Sequence, residues 1–179
     1  MVDIVNIVSS GSLDLEIDLK SLSDEIGPIA DYDPEKYPGM YLRFGADIPL
    51  ITVYRTGKYI ITGANSKEEA YTVRERFLDL LSDIGVINHP DDDWFSIQNY
   101  VCTAEFDQSL DLNALTVELG LEQTEYEPEQ FPGLIYRPNS NLGVVLVFAT
   151  GRVVITGCRS LQDAEEVFSD LKKTLSGFI

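Results

Sequence analysis

Several chemistries need residues that this chain scarcely has. Of its 179 residues one is histidine, one is tryptophan and two are cysteines. Cys102 and Cys158 stand far apart with no CxxC pair, so they read as two small, partly buried free thiols of a reducing compartment. A zinc site lacks ligands, since His89 is the only histidine. No apolar run approaches the ~20 residues that span a bilayer. The N-terminus, Met1-Val2-Asp3-Ile4, has no basic stretch ahead of an apolar one, which argues against a signal peptide. A soluble, cytoplasmic protein is the expectation. Catalytic signatures are also missing: there is no HExxH, no GxSxG, no Walker A loop and no GxGxxG after a strand. A Ser-His-Asp arrangement would hang on His89 alone, and the consecutive Asp91, Asp92 and Asp93 cannot all converge on one cation. No enzyme, metal or cofactor is expected.

Positive charge is scarce as well. Thirteen Lys and Arg face 30 Asp and Glu, for a net charge of −17 and a pI near 4.2. Nucleic-acid partners usually show a basic footprint, so this balance at first argues against DNA. The acids, however, are spread evenly, with 15 in residues 1–90 and 15 in residues 91–179. With 44% hydrophobic residues the chain can build a real core. Even acidity over such a sequence reads as the solvated surface of a halophile protein, and net charge then says little about the partner.

What the chain does have is an internal repeat. Tyr32 to Arg43 reads YDPEKYPGMYLR, and Tyr126 to Arg137 reads YEPEQFPGLIYR. Val53 to Gly63 reads VYRTGKYIITG against VFATGRVVITG at Val147 to Gly157. Earlier in each half the offset is one residue shorter, which pairs Asn6 with Asn99 and Asp18 with Asp111. The expected division is a first repeat over 1–85, a linker over 86–96 and a second repeat over 97–179.

Each half has the same predicted order. A β-rich opening (Ile4 to Ser9; Ile97 to Phe106) leads to a short helix behind Asp18 or Asp111. A Pro/Gly loop and three strands follow, near 39–45, 49–55 and 58–64, the last two joined at Thr56-Gly57 and its copy Thr150-Gly151. A longer helix over Lys67 to Ile84, capped by Ser66 and stopped by Gly85, closes the half. Its buried stripe is Ala70, Val73, Phe77, Leu81 and Ile84, echoed by Ala164, Val167, Leu171 and Leu175. Strand parity puts Leu50, Thr52 and Tyr54 on one face, and likewise Lys58, Ile60 and Thr62. Both sheet faces are then substantially apolar, yet two helices cover only one. The bare face is a binding surface or a dimer interface.

The doubled N-x-V, Y-[DE]-P-E-x-[YF]-P-G-x-x-x-R and T-G-[KR]-x-x-[IV]-T-G patterns resemble the TATA-box-binding protein family in its archaeal form, over residues 4 to 179. The resemblance implies an α+β saddle of two pseudo-symmetric repeats, with a curved antiparallel sheet under four helices. It also implies a general transcription initiation factor that binds the minor groove of A·T-rich promoter DNA, inserts side-chain wedges and bends the duplex. Asn6 and Asn99 match the paired asparagines at the centre of the DNA-facing sheet. A·T pairs show only acceptors in the minor groove, and an Asn amide is a two-proton donor. Thr62 and Thr156 match hydrogen-bonding threonines, and Val8, Val101, Ile60 and Val154 the apolar floor. The wedges, phenylalanines in the family, fall on Tyr37 and Tyr54 in the first half and on Phe131 and Phe148 in the second. A tyrosine hydroxyl so placed needs a polar partner.

Arg43, Lys58, Arg137 and Arg152 match phosphate-facing positions, with Arg55 and Arg159 as weaker candidates. The Glu125–Phe131 loop resembles the one presented to transcription factor B, with Glu127 and Glu129 as contacts and RNA polymerase recruited indirectly. Implied partners are therefore double-stranded DNA and transcription factor B in a nucleoid setting, without a membrane. The free protein is a candidate homodimer through its sheet face. The long helices, basic in eukaryotic relatives, are acidic here through Glu68, Glu69, Asp163, Glu165 and Glu166. A competing reading is a protein-interaction module of the same fold whose apolar face binds another protein, against which the marginal arginines count. Trp94 reads as an anchor for the linker.

Overall fold

The computed structural model describes residues 1–88 and 94–178, so His89, Asp91, Asp92 and Asp93 lie outside the described residues. Strand β1 (Asp3–Ser12) alternates as its parity requires: Ile7 and Ser9 are buried while Asn6, Val8 and Ser10 are half-exposed. Helix α1 (Leu19–Ile26) starts at Asp18, whose carboxylate accepts the Lys20 and Ser21 N–H groups, each at 3.1 Å. The Ser21 bonds above all hold that carboxyl below its usual pKa. A 3-10 turn leads into β2 (Ala30–Asp31), β3 (Met40–Leu42), β4 (Leu50–Val53) and β5 (Lys58–Ala64). Helix α2 (Lys67–Asp83) is capped by Ser66 Oγ, which accepts the Glu69 N–H at 3.0 Å. The Glu69 carboxylate in turn accepts the Asn65 N–H at 2.8 Å, one residue beyond the usual capping box.

The second half repeats this order: β6 (Trp94–Glu105), α3 (Leu112–Leu119), β7 (Thr124–Glu125), β8 (Leu134–Tyr136), β9 (Val144–Val147), β10 (Arg152–Cys158) and α4 (Leu161–Leu175). The three-residue β3 and β8 are shorter than the sequence predicts, and the two-residue β2 and β7 carry no sequence signal of their own.

Packing divides the chain into two compact units, residues 6–98 and residues 1–5 with 99–179. Within the first, antiparallel strands run in the order β2-β3-β4-β5-β1. Met40, Leu42, Ile51, Val53, Tyr59 and Ile61 point from the sheet into one core with Leu19 and Leu22 of α1 and Val73, Phe77, Leu78 and Leu81 of α2. The second unit orders its strands β7-β8-β9-β10-β6. Its core joins Cys102, Leu134, Val145, Val147, Val153 and Ile155 to Leu112, Leu115, Ala164, Val167, Phe168 and Leu171. Helix periodicity misses Leu78 and Phe168, which widen each stripe, whereas Ile84 at the α2 C-cap is only half-buried. Both thiols are buried, and burial pushes Cys102 up and Cys158 to about 11. Among the described residues no helix is long and apolar enough to cross a membrane.

Trp94 opens β6 and is 58% exposed rather than packed as an anchor. Phe95 is the ring that packs inward, stacking on Tyr59 at 6.2 Å and meeting Tyr71 edge-on at 5.1 Å, with the Arg74 guanidinium 5.4 Å from its ring. Neighbouring strand residues point to opposite faces, so only one of the two rings can reach the core. Phenylalanine, without a polar hydrogen to satisfy, is the one that does.

Ser9 is fully buried, and its hydroxyl finds no hydrogen-bond partner. Its counterpart in the second repeat is Cys102, which suits an apolar site better. An orphaned buried hydroxyl costs about 1–3 kcal/mol. Ser9→Ala is therefore expected to raise the melting temperature, by roughly 2–4 °C per kcal/mol recovered for a chain of this size. A fall in thermal unfolding temperature would show that the hydroxyl has a partner in solution.

Candidate nucleic-acid interface

The helices leave one face of each sheet uncovered, and the predicted polar residues sit on it. In the first unit Val8 pairs with Thr62 and Thr62 with Leu50, while Ser10, Ile60, Thr52 and Tyr41 form the next row. In the second, Val154 lies between Thr103 and Leu146, and Thr156 pairs with Val144. Val8, Ile60, Val101 and Val154 are all half-exposed, which is unusual for aliphatic residues in mid-strand.

The two asparagines are held alike. The Gly63 N–H donates to Asn6 Oδ1 at 2.7 Å, and the Gly157 N–H donates to Asn99 Oδ1 at 2.7 Å. The Thr62 hydroxyl reaches Asn6 Oδ1 at 3.4 Å, while Asn99 Nδ2 donates to Thr156 Oγ1 at 3.3 Å. A backbone donor can only be met by the amide oxygen. Each amide is thereby oriented with its nitrogen, and so its protons, turned from the strand's own N–H. The result is a fixed donor on an apolar floor, repeated once per half.

The aromatic pairs flank these floors. Tyr37 meets Tyr54 edge-on at 6.2 Å and 60°, and Phe131 meets Phe148 at 5.9 Å and 67°. All four rings are half-buried. The Pro-Gly step before each short strand has a steric cause. A Cβ on Gly39 would lie 2.8 Å from the Tyr37 ring and 3.1 Å from Tyr54, and one on Gly133 would lie 2.7 Å from Phe131 and 3.0 Å from Phe148. Each glycine is the seat of both rings of its pair. The tyrosines supply each other's polar partner, their hydroxyl oxygens standing 2.6 Å apart, and Tyr41 stacks on Tyr37 at 5.2 Å.

The Tyr37 hydrogen bond, then burial, pushes Tyr54 up to about 12. Its protonated form is the one favoured by folding, so this contribution is complete below pH ~10 and is lost as pH rises through the folded value. Tyr37→Phe is expected to move the highest step of a tyrosinate absorbance titration back toward 10. An unchanged step would place the cause elsewhere.

The cationic candidates are exposed. Arg43 Nη1 donates to the Ala46 carbonyl at 3.3 Å, and Arg137 stands 4.0 Å from Glu125. Lys58 and Arg152 begin β5 and β10 with the parity of Ile60 and Val154. Two equivalent grooves lie beside the aromatic pairs. The first includes Ser10, Ser12, Tyr54, Arg55, Lys58 and Trp94, and the second Asp3, Thr103, Glu105, Phe148, Arg152 and Val154. One groove thus has two cations and no acid, the other one cation and two acids. Arg43, Arg137 and Arg159 line neither. Glu127 and Glu129 are exposed in the loop between β7 and β8, where Gln130 donates to Glu127.

Sequence reasoning passed over Gly39, Gly63, Gly133 and Gly157, although all four are identical between the repeats. It also passed over Trp94 as a lining residue.

Comparisons with known proteins find relatives along most of the chain. The family model described as transcription factor TFIID, or TATA-binding protein, matches residues 1–84 and again 94–178. The chain is 49% identical over 168 residues to TATA-box-binding protein C of Halobacterium salinarum, covering 93% of each. It is 38% identical to the TATA-box-binding protein of Archaeoglobus fulgidus, over 97% of this chain and 94% of that one. The solved structure of Methanococcus jannaschii TBP matches with a TM-score of 0.83 at 38% identity, over 98% of both chains.

Proposed function

The chain belongs to the TATA-binding protein family of transcription factors, with halophilic archaeal proteins among its relatives, and from that premise we propose that it binds the A·T-rich minor groove through the bare sheet faces. The observation that carries this reading is the twinned arrangement of a pinned asparagine, a threonine and an aliphatic floor. A·T pairs offer acceptors to such donors, whereas the guanine amino group meets an apolar surface. The half-buried rings beside each unit's floor suit insertion into base steps, which unstacks them and bends the duplex. Lys58, Arg152, Arg43 and Arg137 supply phosphate contacts. Glu127 and Glu129 present a small acidic loop to transcription factor B, through which RNA polymerase is recruited. In the absence of DNA the same apolar faces favour a homodimer.

The test is binding to a short A·T-rich duplex against a G·C-rich control at multimolar KCl, with a fluorescent pair on the DNA ends. Selective binding with a shortened end-to-end distance is expected. No binding by demonstrably folded protein would transfer the sheet face to a protein partner.

The charge adds a second expectation. Each phosphate contact ordinarily contributes a slope of about −0.9 to the dependence of log affinity on log salt. Here few cations face the DNA amid a net charge of −17, and cations held between acidic protein and phosphate are taken up rather than released. Affinity is expected to stay level or rise from about 0.5 to 3 M KCl. A steep fall over that range would refute ion uptake.

A further inference from the structure

The two aromatic pairs have one shape and two chemistries. Their ring separations differ by 0.3 Å and their interplanar angles by 7° (6.2 Å and 60° against 5.9 Å and 67°). Each pair also closes over a glycine where an added Cβ would crowd both rings. The difference is two hydroxyls, present on the first pair and absent from the second. Tyr37 and Tyr54 use one O–H and one oxygen lone pair on each other. One O–H and further lone pairs stay available at the tip of the pair.

The minor groove offers acceptors at every base pair and one additional donor, the guanine amino group, at G·C. A tyrosine pair can answer either: its spare O–H meets an acceptor, and its lone pair meets the amino group. A phenylalanine pair answers neither, and it leaves a guanine amino group desolvated against a ring.

We propose that the tyrosine pair makes the first repeat's wedge a polar reader that accepts a G·C pair at the step it enters, whereas the Phe131–Phe148 wedge rejects one. The inference rests on the minor-groove reading above and goes beyond it. Tyr37 and Tyr54 become specificity-determining residues, and the protein by itself is oriented on a site whose ends differ in this one respect. The groove charges do not substitute for this effect. On a duplex whose halves are otherwise identical, they act equally in both orientations.

The test uses a self-complementary A·T duplex and a version with one terminal step of the site changed to G·C. A fluorophore is placed on Leu121→Cys, an exposed position of the second repeat. The two native thiols are buried and do not compete for label. Energy transfer to an acceptor on one DNA end or the other reports orientation. The native protein is expected to set its first repeat over the G·C end with about tenfold preference, the equilibrium worth of one satisfied hydrogen bond. Y37F/Y54F, which copies the pair the second repeat already folds with, should lose the orientation preference, whatever its affinity for the A·T duplex. F131Y/F148Y should bind a duplex with G·C at both ends about tenfold more tightly than the native protein does. Equal orientations for the native protein, or a preference that survives Y37F/Y54F, would overturn the proposal. Failure to bind even the A·T duplex would instead remove the minor-groove reading and this inference with it.

Discussion

Asn99→Ala is expected to weaken binding to an A·T-rich duplex by between about fivefold and a hundredfold, with almost no change in melting temperature. The amide protons of Asn99 are aimed before any DNA arrives, because the Gly157 N–H holds the amide oxygen at 2.7 Å. A preorganised amide donor on base edges, held on one side by Thr156 Oγ1 at 3.3 Å, is worth about 1–3 kcal/mol, which sets the range. The fold loses little, since the freed Gly157 N–H lies at an exposed residue and water replaces the oxygen. Asn6→Ala should behave alike, for the same reason at Gly63. The double variant approaches the product of the two losses if the sites act independently. His89→Ala, in the acidic segment between the repeats, is the reference and should bind as the native protein does. Equal titration curves for Asn99→Ala and His89→Ala would refute the assignment of the sheet face.

The largest effect on stability is expected at the repeated Thr-Gly turns. Gly57 has φ +80° and Gly151 φ +92°, so any other residue is strained. Strain alone costs about 1 kcal/mol, and Gly85, at φ +75° with nothing within 4 Å of an added Cβ, is expected to lose only that on Gly85→Ala. At Gly57 the added atom would also fall 2.2 Å from the Leu15 carbonyl oxygen, and at Gly151 2.4 Å from Gln108 O and 2.6 Å from Phe106 O. These are backbone atoms with no side chain to swing aside. Hydrogen bonds from Leu13 to Gly57 O and from Ile17 to Arg55 O tie the same loop to the turn. Gly57→Ala or Gly151→Ala is therefore expected to cost about 3 kcal/mol or more, strain and overpacking together. The loss reaches the site too. The turn begins at Tyr54 or Phe148, whose carbonyl accepts the glycine N–H at 2.9 Å. Chemical denaturation of Gly57→Ala and Gly85→Ala side by side decides the matter. Similar midpoints would mean that the loop after β1 yields, and that the contact is not what keeps this position glycine.

Local and periodic features were legible in the chain because their physics is local. Asp18, Asp111 and Ser66 cap the helices they were expected to cap, and Ser160 repeats Ser66 in the second half, since a cap needs only a side-chain oxygen near the next two or three N–H groups. Parity along β5 and β10 placed Ile60, Thr62, Val154 and Thr156 on one face, since successive strand side chains must alternate. The repeat then carried each such reading from one half to the other.

The misreadings were of another kind. Trp94 and Phe95 both qualify as anchors by composition, and only the aromatic neighbourhood of Tyr59 and Tyr71 selects the second. The α2 stripe is wider than its periodicity suggests, since Leu78 also enters the core.

By itself, then, the sequence determined the doubled α+β order, the helix ends, the strand faces and the residue types available to a minor-groove surface. Tertiary structure alone decided how those residues are held. Asn6 is oriented by a backbone donor 57 residues away, and Tyr37 finds its hydroxyl partner 17 residues away across a glycine too small to separate them. Such contacts have no period and no local propensity. They exist only once the strands are paired in register, because register brings donor and acceptor within 3 Å.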